Sequence, residues 1–123
     1  MEKLTEREDQ IMQIIWEQES AFIKDIVEAM PLNRKGKKPH YNTVATLVKF
    51  LEKKGYVKSE RIGNTYRYHP QVALSDYRDQ DLEEIKEKYF GNSLPRMLAH
   101  FAKSEKLTEA EREELIRLIQ SQK

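Results

Sequence analysis

Tyr41-Asn42-Thr43-Val44-Ala45-Thr46-Leu47-Val48-Lys49-Phe50-Leu51-Glu52-Lys53-Lys54-Gly55 is followed at once by Tyr56-Val57-Lys58-Ser59-Glu60-Arg61-Ile62. Gly63-Asn64 then separates that run from Thr65-Tyr66-Arg67-Tyr68-His69-Pro70. In the first stretch Val44, Leu47, Val48 and Leu51 recur at helical spacing, which predicts a helix from Tyr41 to Lys54, and Gly55 is placed to end it in the left-handed conformation. After Gly55 the period changes from helix to strand. Gly63-Asn64 is a two-residue hairpin signal, and Pro70 ends the second strand. Upstream, Thr5 and Glu8 form a capping box ahead of the stripe Ile11, Met12, Ile15 and Trp16, ending near Glu19-Ser20. Ile23, Ile26, Val27 and Met30 mark a second helix, closed by Pro31. Helix, helix, helix, hairpin within residues 1–70 is the order of a winged helix-turn-helix.

The remainder, residues 71–123, reads as helical again. One long helix is predicted from Ser75 to Phe90 with Leu82, Ile85 and Tyr89 inward, broken at Gly91-Asn92. Ser93 caps a short helix carrying Leu94, Met97, Leu98 and Phe101. Thr108 and Glu111 form a second capping box, opening a last helix with Leu115, Ile116, Leu118 and Ile119. So short a segment cannot bury three amphipathic stripes alone, and a second copy of the chain is the simplest partner. The expected architecture is therefore mainly α with a small β-hairpin wing: a DNA-binding winged helix over 1–70 and a helical dimerisation region over 71–123.

Composition sets outer bounds. The chain has 123 residues, 22 Lys+Arg, 21 Asp+Glu and no cysteine, for a net charge of +1. No apolar run approaches the roughly 18 residues of a membrane span, so no membrane insertion is expected. The opening lacks an apolar stretch behind a basic head, so no secretory signal is expected and the location should be cytoplasmic. Without cysteine there are no disulfides and no thiolate metal sites. His40, His69 and His100 are far apart and lack ligand spacing, so no metal or cofactor is expected. There is also no phosphate loop and no nucleophile elbow, which argues against an enzyme.

The near-zero charge hides a polarised chain. Residues 1–30 carry three basic and eight acidic side chains, residues 31–70 ten and two, and residues 71–123 nine and eleven. A segment of net +8 in an otherwise acidic chain calls for a polyanion, most often nucleic acid. The third helix shows where. Opposite its apolar stripe lie Asn42, Ala45, Thr46, Lys49 and Lys53 on one face, with Tyr41 and Thr43 at its start. Small polar groups there let the backbone approach base edges, while lysines meet phosphates further along. Arg34, Lys35, Lys37 and Lys38 form a basic loop just before the helix, with Gly36 expected to leave it flexible until bound. Arg61 and Arg67, with Lys58, offer contacts from the wing. Tyr66 and Tyr68, two apart, are expected to pack the hairpin onto the helices. A winged-helix adaptor that binds protein instead is the rival reading, disfavoured by the shortage of acids on this face.

Several stretches, in order, resemble the penicillinase repressors, also called BlaI/MecI-type repressors. They are Leu4-Thr5 followed by Met12-Gln13-Ile14-Ile15-Trp16, then Thr43-Val44-Ala45-Thr46-Leu47, Leu51-Glu52-Lys53-Lys54-Gly55-Tyr56-Val57 and Tyr66-Arg67-Tyr68-His69-Pro70. The segment Ser93-Leu94 through Phe101, then Glu113-Glu114-Leu115, is similar to the family's dimerisation half. The resemblance implies a homodimer that binds a palindromic double-stranded operator and represses transcription. It also implies a membrane-bound sensor protease, responsive to β-lactam in the best-known circuits, that cuts the repressor in its dimerisation half. The family's cleavage point is an Asn-Phe pair; the matching proteolytic pair here is His100-Phe101. Ala45 stands where the family usually has Arg, which implies a different operator sequence. The cysteine-rich metal site of the copper-responsive relatives is absent.

Overall fold

Thr5 begins the fold as the sequence pattern predicts. Its hydroxyl accepts from Glu8 N–H at 3.2 Å and its own N–H donates to Glu8 Oε1 at 2.9 Å, closing a reciprocal cap on α1 (Glu6–Gln18). A computed structural model describes residues 1–121, so the last two positions of the 71–123 segment lie outside the described residues. After α1 come β1 (Ala21–Phe22), α2 (Ile23–Ala29), α3 (Tyr41–Lys53), β2 (Val57–Ile62) and β3 (Thr65–Pro70). The chain continues with α4 (Leu74–Tyr89), α5 (Leu94–Lys103) and α6 (Glu109–Ser121). It divides into two compact units, Met1–Tyr77 and Arg78–Lys123.

The first unit is a winged helix-turn-helix. The apolar stripes of α1, α2 and α3 converge on one core that includes Ile11, Met12, Ile15, Ile26, Val44, Val48 and Leu51, all fully buried. Leu47, expected in the stripe, is only half-buried against that core. The hairpin forms where Gly63-Asn64 predicts, with Ile62 opposite Thr65. Gly63 takes a positive φ of +61° while Asn64 does not, the backbone pattern of a II′ turn that matches strand twist. The sheet gains a strand the sequence pattern did not announce. β1 pairs antiparallel with β3, Ala21 opposite Tyr68 and Phe22 opposite Arg67, giving the order β1-β3-β2. Two residues carry no readable period, so only their pairing reveals them.

The first unit continues past Pro70 because an aromatic box holds the start of α4. Tyr77 packs against Trp16 and Tyr56, with ring centroids 5.3 and 5.9 Å away. Its hydroxyl donates to Asp9 at 3.0 Å, and Trp16 Nε1 donates to the Val72 carbonyl at 2.9 Å. Such buried aromatic polar tips need partners, and here they have them.

Glu8 is the buried charge of this unit. Its carboxylate receives the Lys54 ammonium at 2.8 Å, joining the start of α1 to the end of α3. Burial pushes the Glu8 carboxyl up, but the Lys54 contact and hydrogen bonds with Thr5 outweigh it and hold the group below its ordinary 4.5. A carboxylate depressed in the folded state stabilises the fold above its unfolded value, and that contribution fades as pH falls through the folded value. Glu8→Gln should therefore lower stability near neutrality and flatten its decline below about pH 4.5, checked by urea unfolding across pH 3 to 7. An unchanged slope would remove Glu8 from the acid transition.

In the second unit the caps also match their sequence signals. Ser93 Oγ accepts from Arg96 N–H at 3.2 Å to open α5. Thr108 and Glu111 bond reciprocally at 3.1 and 3.0 Å to open α6. Gly91 and Asn92 both take positive φ at the break between α4 and α5. Arg112 donates to the Ala102 carbonyl at 2.9 Å, tying α6 to the end of α5. The apolar stripes, however, do not close. Met97 is buried and Leu98 and Leu115 are half-buried, but Leu82, Ile85, Tyr89, Leu94, Phe101, Ile116, Leu118 and Ile119 are exposed. The expectation that Leu82, Ile85 and Tyr89 face inward is not met within one chain, because three short helices have too little interior to cover them.

Candidate nucleic-acid interface

The exposed face of α3 carries Asn42, Thr43, Thr46, Lys49 and Lys53, with Tyr41 also exposed at the first turn. Asn42, Thr43, Thr46 and Leu47 line one shallow depression near the helix start. Thr46 Oγ1 donates to the Asn42 carbonyl at 2.9 Å, so its hydroxyl proton is engaged within the helix and its outward offer is mainly apolar. Asn42 keeps its side-chain amide at the surface. Ala45 is half-buried and packs on the core rather than standing in the middle of the face, since it lies one turn from Val48. Glu52 is the only acid between Asn42 and Lys54, so the face has a polar start and a basic end.

The basic loop is not the open segment its glycine suggests. Asn33 Oδ1 accepts from the N–H groups of Lys35 and Lys37 at 2.9 and 3.0 Å. Asn33 N–H donates to the Lys37 carbonyl at 2.7 Å and Gly36 N–H to the Asn33 carbonyl at 2.9 Å. Arg34, Lys35 and Lys37 are exposed. Arg34 also lines an open cleft with Glu6, Arg7 and Gln10. Lys38 is different. Its ammonium donates to the carbonyls of Glu28, at 2.7 Å, and Met30, at the end of α2.

On the wing, Arg61 is exposed at the hairpin end, its Nε donating to the Gly63 carbonyl at 3.2 Å. Arg67 is half-buried, its guanidinium 5.0 Å from the centre of the Phe22 ring, a cation–π contact across the β1–β3 pairing. Tyr68 is buried, and burial pushes its hydroxyl up. Tyr66 is 45% exposed, so only one of the two tyrosines packs the hairpin as expected. Its partner Arg61 lies next to the turn, past the part of the sheet that the helices cover. His69 Nε2 lies 2.9 Å from Glu60 Oε1 on the same hairpin. Sequence patterns gave no notice of the Asn33 bonds, although Asn followed three residues later by Gly is a turn signal.

Comparison with known proteins gives the family. The penicillinase repressor family model matches residues 4–121. The chain belongs to the penicillinase repressor family. It is 30% identical over 105 residues to the penicillinase repressor of Staphylococcus aureus, covering 85% of this chain and 81% of that protein. To the methicillin resistance regulatory protein MecI of Mammaliicoccus sciuri it is 24% identical over 95% of this chain and 93% of the relative. A solved structure, Bacillus licheniformis BlaI in monomeric form with the blaP half-operator, matches with a TM-score of 0.49 and 24% identity. That match covers 62% of this chain and 89% of the other. This is a family of repressors, not of enzymes. No helix among the described residues is long and apolar enough to cross a membrane.

Within this penicillinase repressor family member, His100 and Phe101 lie in the last turn of α5, both exposed. The His100 ring sits between Phe90 and Phe101, with centroids 5.6 and 5.9 Å away. The bond joining them is helical, so a protease reaches it only when that turn opens.

Proposed function

We propose that the chain is a cytoplasmic, homodimeric, sequence-specific repressor that binds a palindromic operator with α3 in the major groove. Arg61 and the basic loop lie along the backbone. The observation that carries this reading is the exposed face of α3, where Asn42, Thr43 and Thr46 precede Lys49 and Lys53 with one acid between Asn42 and Lys54. Asn42 has the bidentate amide that pairs with adenine, and Thr46 offers its methyl to a thymine. Membership of the penicillinase repressor family supports DNA as the partner. The apolar side chains left exposed on α4, α5 and α6 support a second copy as the other.

Residues 31–70 carry the basic excess, so binding should weaken steeply with salt. On a duplex selected from random DNA, Lys49→Ala is expected to weaken binding to all sequences and make the salt slope shallower by about 0.9. Asn42→Ala should instead relax preference at one position, erasing about 1–3 kcal/mol of discrimination. Titrations at several salt concentrations measure both. Affinity indifferent to salt and to both changes would sink the model and favour a protein-binding adaptor.

Release by a membrane-bound sensor protease cutting at His100-Phe101 fits this design. The cut would detach α6 from the rest of the helical unit, and its signature is a fragment ending at His100.

A further inference from the structure

We infer that Asn33 is a positioning residue for backbone binding: it closes the α2–α3 loop into a preformed ring that presents Arg34, Lys35 and Lys37 to phosphates, while Lys38 anchors the ring and binds none. This rests on the DNA reading above and deepens it by separating the loop residues that bind from those that shape.

The ring is closed by four hydrogen bonds within Asn33–Lys37. Asn33 Oδ1 takes the N–H groups of Lys35 and Lys37, and backbone bonds join Asn33 N–H to the Lys37 carbonyl and Gly36 N–H to the Asn33 carbonyl. One side-chain carbonyl has two lone pairs, and both are used. Gly36 completes the turn at a φ of +75°, a conformation that L side chains rarely adopt. Lys38 then fixes the ring to α2. The last carbonyls of a helix lack partners inside it, and the Lys38 ammonium supplies one to Glu28 and to Met30. Two of its three N–H donors are committed there, which holds the ammonium at the end of α2.

Three cations within four residues repel one another, and a free loop would extend to separate them. The ring holds them together before DNA arrives, so less chain entropy is lost on binding. This has a consequence that charge alone does not. The salt slope counts the phosphates neutralised and is blind to how ordered the loop was beforehand. Residues that bind and residues that shape therefore differ in slope, whatever their own charge.

The test uses the full chain. In the free protein, the Lys35 and Lys37 amides are expected to exchange slowly by NMR, and Asn33→Ala should remove that protection with little change in Tm. On a duplex selected from random DNA, Lys35→Ala and Lys37→Ala should each make the salt slope shallower by about 0.9. Asn33→Ala should weaken binding about tenfold with the wild-type slope. Gly36→Ala, whose added methyl meets no atom within 4 Å and so acts through φ alone, should do the same. Lys38→Ala should also keep the wild-type slope, although it removes a charge. Asn33→Ala binding as tightly as wild type, or a Lys38→Ala slope as shallow as that of Lys35→Ala, overturns the inference. Wild type that binds DNA with unprotected Lys35 and Lys37 amides overturns it too. Protected amides in a chain that holds no duplex would overturn the repressor reading and this inference's dependence on it.

Discussion

Ile116→Asp combined with Ile119→Asp is expected to leave the protein folded but monomeric, with affinity for a palindromic duplex reduced by about a hundredfold or more. Both side chains lie one turn apart on α6 and are 54% and 55% exposed in a single chain, so neither supports the fold of its own unit. Substitution at such positions usually costs a monomer little. Across a subunit interface the result differs, because two carboxylates would be taken out of water without partners. The dimer then separates, and each winged helix meets its half-site alone. The effective concentration that linkage confers, about a hundredfold to ten-thousandfold in affinity, is lost without any change to α3. Sedimentation velocity and titration against a full palindrome and a half-site check the claim together. Half-site affinity should be unchanged while palindrome affinity collapses. A persistent dimer would place the interface elsewhere, and a monomeric wild type would remove it. The proposed cleavage at His100-Phe101 would work through the same step, since it would detach the helix that carries both residues.

Much of this fold was legible because it depends on local chemistry. The Thr5–Glu8 and Thr108–Glu111 boxes, the Ser93 cap and the Gly63-Asn64 turn each use a donor and an acceptor within four residues, so their spacing is visible in the chain. The α3 stripe was legible for the same reason, as was the polar and basic face behind it. What stayed hidden depends on groups that no pattern encodes. β1 exists only because Ala21 and Phe22 find Tyr68 and Arg67 across the sheet. Lys38 counts as one more cation in the sequence, yet backbone carbonyls of α2 hold it. Arg67 likewise has an aromatic ring as its neighbour, which a tally of charges cannot foresee. Ala45 was counted on the reading face, but at about 100° round the helix from Val44 it sits on the flank of the apolar stripe, where its methyl meets the core edge. That the second unit cannot cover its own stripes was legible from its length, but which side chains stay exposed was not, because that depends on how its three helices pack.

Leu51→Ala and Lys49→Ala, two residues apart on α3, are expected to fail in opposite ways. Leu51 is fully buried, 0% exposed, in the core that joins α3 to α1 and α2. Truncating it removes apolar contact and leaves a cavity, at a cost of about 2–5 kcal/mol. Set against the roughly 5–15 kcal/mol that holds a typical domain together, that is a large fraction. Urea unfolding should show the midpoint fall sharply. Yet at low temperature, where most molecules remain folded, the surviving population should bind DNA with the wild-type salt slope, because every phosphate contact is retained. Lys49→Ala should show the reverse: an unfolding free energy within about 0.5 kcal/mol of wild type, as expected for a surface change, and a shallower salt slope. The pair tests whether one helix divides its labour by face. If Leu51→Ala also flattened the slope, the core would be setting the phosphate contacts as well as the stability. If Lys49→Ala unfolded the protein, the exposed face would be holding the fold, and α3 would no longer be a surface free to enter a groove.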